Sequence, residues 1–244
     1  MERATPLATA RLADLSPDGL EYRPGWDGLT LAALGLGAAS APAVAAYLRR
    51  GGNLLEAGDA PVAVGAVLAA GPARREQVVV CAEAGRLPDE PPPWLDASLL
   101  AAGDVVAGHC LAPAFLRGQI RAHLRQLGLT CLDLCWLAGA DLLSAALPEA
   151  DFRLRLREAF AALEVAVAQG EIAAYGLSLA EPRLSPALAL EVAHDVLGER
   201  HHLRALKLPH TATISAPPGL HLVAAGGRNP AATACLLSAA DLRL

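Results

Sequence analysis

Short apolar runs alternate along this chain with longer segments in which apolar positions recur every three or four residues. The first pattern predicts buried strands and the second amphipathic helices. Strands are expected at 29–36, 53–55, 77–81, 131–137, 173–177, 204–208 and 221–224, with helices at 40–51, 61–71, 116–128, 152–170 and 185–198. Several of the helical segments end in glycine, a residue favoured just past a helix C-terminus. Regular strand–helix alternation implies βαβ units around a parallel sheet.

One segment breaks the rhythm. "RLPDEPPPWLDASLLAAGDVVAGHC", 86–110, holds too much proline for a regular crossover. It reads as a long surface loop, either a lid anchored by Trp94 or an inert excursion.

Composition narrows the class. A chain of 244 residues, 54% of them hydrophobic, can bury a large core, and a single domain over 1–244 is expected. No apolar run approaches the roughly 18 to 20 residues that span a bilayer, and the N-terminus lacks the basic start and apolar core of a secretory signal, so a cytoplasmic location is expected and no membrane partner. A net charge of −5 with scattered signs offers no basic face for nucleic acid. The five cysteines, Cys81, Cys110, Cys131, Cys135 and Cys235, are odd in number and lack CxxC spacing, so buried thiols are expected in place of disulfides or a metal knuckle.

The order of the motifs resembles the aldo-keto reductase family, whose members are (β/α)8 TIM barrels that reduce carbonyls with NADPH. "LTLAALGLG" resembles the opening strand, "GGNLLEAGDAP" the catalytic-aspartate and tyrosine segment, and "REQVVVCAEAG" the lysine strand. "LRQLGLTCLDLCWLAGAD" resembles the histidine strand, and "ALEVAVAQGEIAAYGLSLA" the strand that ends at the nicotinamide. "HLVAAGGRNPAATACLLSAADLRL" resembles the eighth strand with its phosphate loop.

Transferred residue by residue, the function this implies fails. The family's aspartate falls on Glu56, its tyrosine on Pro61, its lysine on Glu83 and its histidine on Ala138. A hydride acceptor needs a proton donor at its developing alkoxide, and proline has no proton to give. Toward the cofactor, Ser178 is kept, but Leu179 replaces an asparagine, Lys207 a glutamine and Leu236 a further asparagine; Arg228 could meet a 2′-phosphate. Only "HTATISAPPG" separates the sixth strand from the next, so the seventh β/α unit is expected to be missing or shrunken, leaving an incomplete barrel with an edge for a homo- or hetero-oligomeric partner to cover.

In such barrels chemistry sits at the C-terminal ends of the strands. Those ends carry Glu56, Asp59, Glu83, Trp136, Ser178, Lys207 and His210. Glu56 and Glu83 are candidates for an acid/base pair in which like-charge proximity raises one pKa. Lys207 is a candidate Schiff-base amine, or else the counter-ion that neutralises a carboxylate in an internal ion pair. Asp59, Trp136, Ser178 and His210 are candidate substrate contacts. The expected function is binding of a small organic molecule without a cofactor and, if catalytic, non-redox proton transfer such as dehydration, isomerisation or cyclisation. The alternatives are an NADP-dependent oxidoreductase with a rebuilt proton donor, Glu83 or His210, and a non-catalytic scaffold. His109 beside Cys110, and the pair His201 and His202, are weaker candidates, read as surface groups in preference to a thiolate or metal site.

Overall fold

The computed structural model describes residues 2–16, 20–37, 39–58, 60–87, 100–101, 103–181, 183–212, 217–226 and 234–237. Its centre is a closed barrel of eight parallel strands: β3 (Leu34–Gly37), β4 (Leu54–Glu56), β5 (Val79–Ala84), β8 (Leu134–Ala138), β9 (Tyr175–Ser178), β10 (Leu203–Pro209), β11 (His221–Ala225) and β12 (Ala234–Leu237). All seven expected strands and all five expected helices are present, with shifted ends. The helices are α2 (Ala41–Arg49), α3 (Pro61–Ala69), α4 (Pro113–Leu127), α6 (Glu149–Ala168) and α7 (Pro186–Leu197). Proline at the first or second position starts α2, α3, α4 and α7, where its missing N–H forfeits no helical hydrogen bond.

Two expectations are corrected. The barrel is complete and has no open edge, because the run "ACLL" forms β12, which pairs Val223↔Ala234 on one side and Cys235↔Leu34 on the other. Consequently 221–225 is the seventh strand and not the eighth. What has shrunk is the crossover: eleven residues (210–220) join β10 to β11 and eight (226–233) join β11 to β12, and the described ones include no helix. Parallel neighbours ordinarily need a dozen or more connecting residues.

The expected first strand, 29–36, is split. Its first half, β2 (Thr30–Ala32), pairs with β1 (Tyr22–Pro24) as an antiparallel hairpin, and only the second half enters the barrel. With α1 (Pro6–Leu15), which follows an N-cap at Thr5, this hairpin covers the N-terminal end of the barrel. Asn53 fastens it, accepting from the Ala32 N–H at 2.7 Å and donating to the Thr30 carbonyl at 2.8 Å. Asp133, fully buried, accepts from the Ala4 and Val80 N–H groups and from Arg75, at 2.6 to 2.7 Å.

Period-two alternation divides each strand between two apolar layers. Val80, Ala82, Leu137, Leu206 and Leu208 pack outward against the helices, whereas Leu54, Val79, Cys81, Trp136, Ala205 and Val223 fill the interior. Trp136 is the largest of the interior groups from the sheet, and it fits because Gly176 lies opposite. A Cβ at Gly176 would stand 2.6 Å from Trp136 Cζ3 and 2.7 Å from the Ala205 carbonyl. Gly176→Ala is therefore expected to overpack the interior and cost about 1–3 kcal/mol, read as a lowered denaturant midpoint. An unchanged midpoint would show that Trp136 does not press on this position.

Candidate functional site

Continuing the same alternation toward the C-terminal ends puts the polar residues inside. On β4, Leu54 is interior and so is Glu56; on β5, Val79 and Cys81 lead to Glu83; on β10, Ala205 leads to Lys207. The sheet register sets Glu83 beside Trp136 and Lys207 beside Ser178, and the side chains of Glu56, Glu83, Ser178 and Lys207 meet at the mouth.

There they form one ion cluster. Lys207 Nζ donates to Glu56 Oε1 at 2.6 Å and to Glu83 Oε2 at 3.1 Å. Ser178 Oγ donates to the same Glu83 oxygen at 3.0 Å, and Arg86 Nε lies 3.4 Å from Glu83 Oε1. Below, the ammonium stands 5.4 Å from the centroid of the Trp136 ring, a cation–π contact. The side chains of Lys207, Glu56 and Glu83 are only 9%, 13% and 19% exposed, so their attraction is poorly screened by solvent.

This corrects the premise of a carboxylate pair. Glu56 and Glu83 do not stand as two like charges in isolation; the lysine lies between them. Burial would push Glu83 up, but Lys207, Arg86 and Ser178 together hold it below the usual carboxylate range. Burial would likewise push Lys207 down, and the two glutamates outweigh it, holding the ammonium above its ordinary value. The geometry matches the internal ion-pair reading of Lys207.

The remaining sequence candidates scatter. Trp136 is the fully buried floor. His210 is exposed on the turn after β10, its N–H donating to the Ala225 carbonyl at 3.0 Å. Asp59, Trp94 and Arg228 lie outside the described residues, as does the Leu236 side chain. His202 binds Glu164 at 2.7 Å, His201 Nδ1 accepts from the Leu203 N–H, and among the described residues no His, Cys, Asp and Glu group could hold a metal ion. Cys110 is buried, and burial pushes its thiol up, away from thiolate character. All five cysteines are buried thiols outside any disulfide, as the composition implied.

Two further residues reach the mouth: His109, read from the sequence as a surface group, and Asp141, which sequence reasoning missed. The hairpin of β6 (Val105–Val106) and β7 (His109–Cys110) folds back onto the end of β5, with an Arg86↔His109 bridge. This sets His109 over Gly139, where a Cβ would meet its ring at 2.5 Å and φ is +85°. Asp141, in the first turn of the short helix α5 (Ala140–Ala146), is almost fully buried. Both line a cavity of ≈ 250 Å3 with Glu83, Arg86, Ser178 and Lys207. The paired glycines Gly108 and Gly139, which take positive φ, were the available signal for the turns that deliver them.

Comparison with known proteins bears on the fold. No family model and no curated protein matches the sequence. Among solved structures, the chain is similar to an aldo-keto reductase, AKR11C1, from Bacillus halodurans (holo form), with a TM-score of 0.57 and 18% identity over 85% of this chain and 66% of that one. The match thus spans just under two thirds of that protein's length, and at this identity the likeness concerns fold alone. The architecture is that of an aldo-keto-reductase-like (β/α)8 barrel, closed by unusually short final connections.

Removing one member of the cluster leaves buried charge uncompensated. Lys207→Met is expected to cost about 3–5 kcal/mol at neutral pH, with most of the loss recovered in the triple variant that adds Glu56→Gln and Glu83→Gln. Chemical denaturation measures both, and a near-neutral single variant would deny the cluster. Because Glu83 is depressed when folded, its contribution is present above its ordinary pKa of 4.5 and lost as pH falls through the folded value. Lys207 is raised, so its contribution is complete below 10.5 and is lost as pH rises through the folded value. Glu83→Gln should therefore flatten the acid limb of the stability profile.

Proposed function

We propose that this barrel does not carry out NADPH-dependent carbonyl reduction and that its mouth binds a small organic molecule. The observation that carries the reading is the fate of the tyrosines. The chain has three, and none stands at the mouth. Tyr22 OH donates to the Gly51 carbonyl, Tyr47 OH to the Leu34 carbonyl, and Tyr175 OH to the buried Glu164. Burial pushes the Tyr47 and Tyr175 phenols up, away from ready proton release. In the place that the resemblance gives the phenol, Pro61 opens α3.

The donor set fits a nicotinamide poorly. The one hydroxyl that the resemblance would aim at its amide, on Ser178, is engaged by Glu83. Lys207 is committed to two carboxylates. These engagements support the reading of a protein that keeps the barrel and has given its mouth to other use.

Of the non-redox alternatives, binding is better supported than catalysis. A Schiff base needs a neutral amine, and Lys207 is held charged. A general acid at Glu83 needs a raised pKa, and it is lowered. If proton transfer is run by this cluster, the competent pair is Glu83 as carboxylate base and Lys207 as ammonium acid, each biased against release or uptake at neutral pH.

Titrating the purified protein with NADPH tests the reading through nicotinamide fluorescence and absorbance. The expected result is neither saturable enhancement at micromolar coenzyme nor carbonyl-dependent oxidation. Tight binding with turnover of an aldehyde would overturn it.

A further inference from the structure

The mouth contains a polar atom that the ion cluster does not explain. Asp141 is 1% exposed and lies in the wall of the ≈ 250 Å3 cavity. Its Oδ2 accepts from the Glu181 N–H at 2.8 Å, while Oδ1 has no partner. A buried acceptor without a partner is costly, and the cost is greatest for a carboxylate. The surrounding charges do not relieve it. Lys207 is shared by Glu56 and Glu83, and Arg86 approaches Glu83 from the rim with its side chain 68% exposed. Among the described residues, two cations thus face three carboxylates at the mouth, an excess of one negative charge.

We propose that the cavity recognises a small protonated primary amine, whose ammonium donates to Asp141 Oδ1 and supplies the missing positive charge. The inference rests on reading the mouth as a ligand site and names the class of ligand. An ammonium satisfies the orphan oxygen with a charge-assisted hydrogen bond, and its further protons can reach acceptors such as Glu83 Oε1. An anion would bring a fourth negative charge beside Glu83 and Asp141, with the lysine that might receive it already engaged by two carboxylates. A neutral alcohol could donate one hydrogen bond but leaves the charge unbalanced. The cavity lies below the range of about 300 Å3 and upward usual for drug-sized ligands, which suits a compact amine.

The test uses the full chain and three probes of matched size: n-butylamine, n-butanol and butyrate, titrated calorimetrically and by NMR. Saturable binding of butylamine, weakened roughly tenfold or more by Asp141→Asn as expected for loss of a charge-assisted hydrogen bond, supports the proposal, provided butanol and butyrate bind more weakly. Asp141→Asn keeps the acceptor for Glu181 and places an N–H group where Oδ1 stood. Equal butylamine affinity in the two proteins, no saturable binding at millimolar amine, or tighter binding of butyrate would each overturn it. If the variant does not fold, the Asp141 carboxylate carbon of the wild-type protein decides: its resonance must move with butylamine and stay in place with butanol. Butanol or butyrate bound at the mouth without the amine would sink the amine and leave the ligand site standing. NADPH turnover would instead sink the reading of the function.

Discussion

An ammonium buried between two carboxylates, above an indole ring and beneath a narrow mouth, governs what this barrel can do. Set inside the barrel at the wall of the mouth cavity, Lys207 is almost fully buried and held between Glu56 and Glu83. Its desolvation is tolerable only because both glutamates face it, and theirs only because the lysine is charged. Such a cluster is stable when complete, and within it Lys207 and Glu83 bias each other toward their ionised forms. The reading proposed for the mouth rests on these contacts, in which the groups that hold its upper layer together are engaged with one another.

That constraint depends on a closed cylinder. The four strand ends meet at the mouth only if the seam between β10 and β3 is filled, and β11 and β12 fill it with connections of eleven and eight residues. Closure leaves no row of unpaired backbone groups, so the case for a partner covering a sheet edge loses its basis. Among the described residues the wall draws on Glu83 of β5, the turn into α5 with Gly139 and Asp141, Ser178 of β9, Lys207 of β10 and Ala225 of β11.

Much of this was legible in the sequence, for reasons that are local. Short apolar runs marked the strands, glycine marked several helix ends, and the C-terminal ends of the expected strands pointed to Glu56, Glu83 and Lys207. Four features were not legible. The run 234–237 is too short and too weakly punctuated to be separated from the loop before it, and its identity as a strand comes from the neighbours that receive it. The split of 29–36 arises because Asn53 and the N-terminal hairpin capture Thr30 and Ala32, a long-range effect. The sign of the shift at Glu83 depends on a residue 124 positions away, so two nearby carboxylates alone suggested the opposite direction. His109 and Asp141 reach the mouth through turns, where spacing along the chain carries little information about direction.

The most direct test is the titration of Lys207 itself, followed through its side-chain Cε and Nζ resonances, with Lys207→Met used for assignment. The account predicts that the ammonium is still charged at pH 10.5, the midpoint of an ordinary lysine, and that its midpoint falls when Glu56 and Glu83 are both changed to glutamine. A wild-type midpoint below 10.5 would show an amine freed from its carboxylates, and would return Lys207 to the list of nucleophiles.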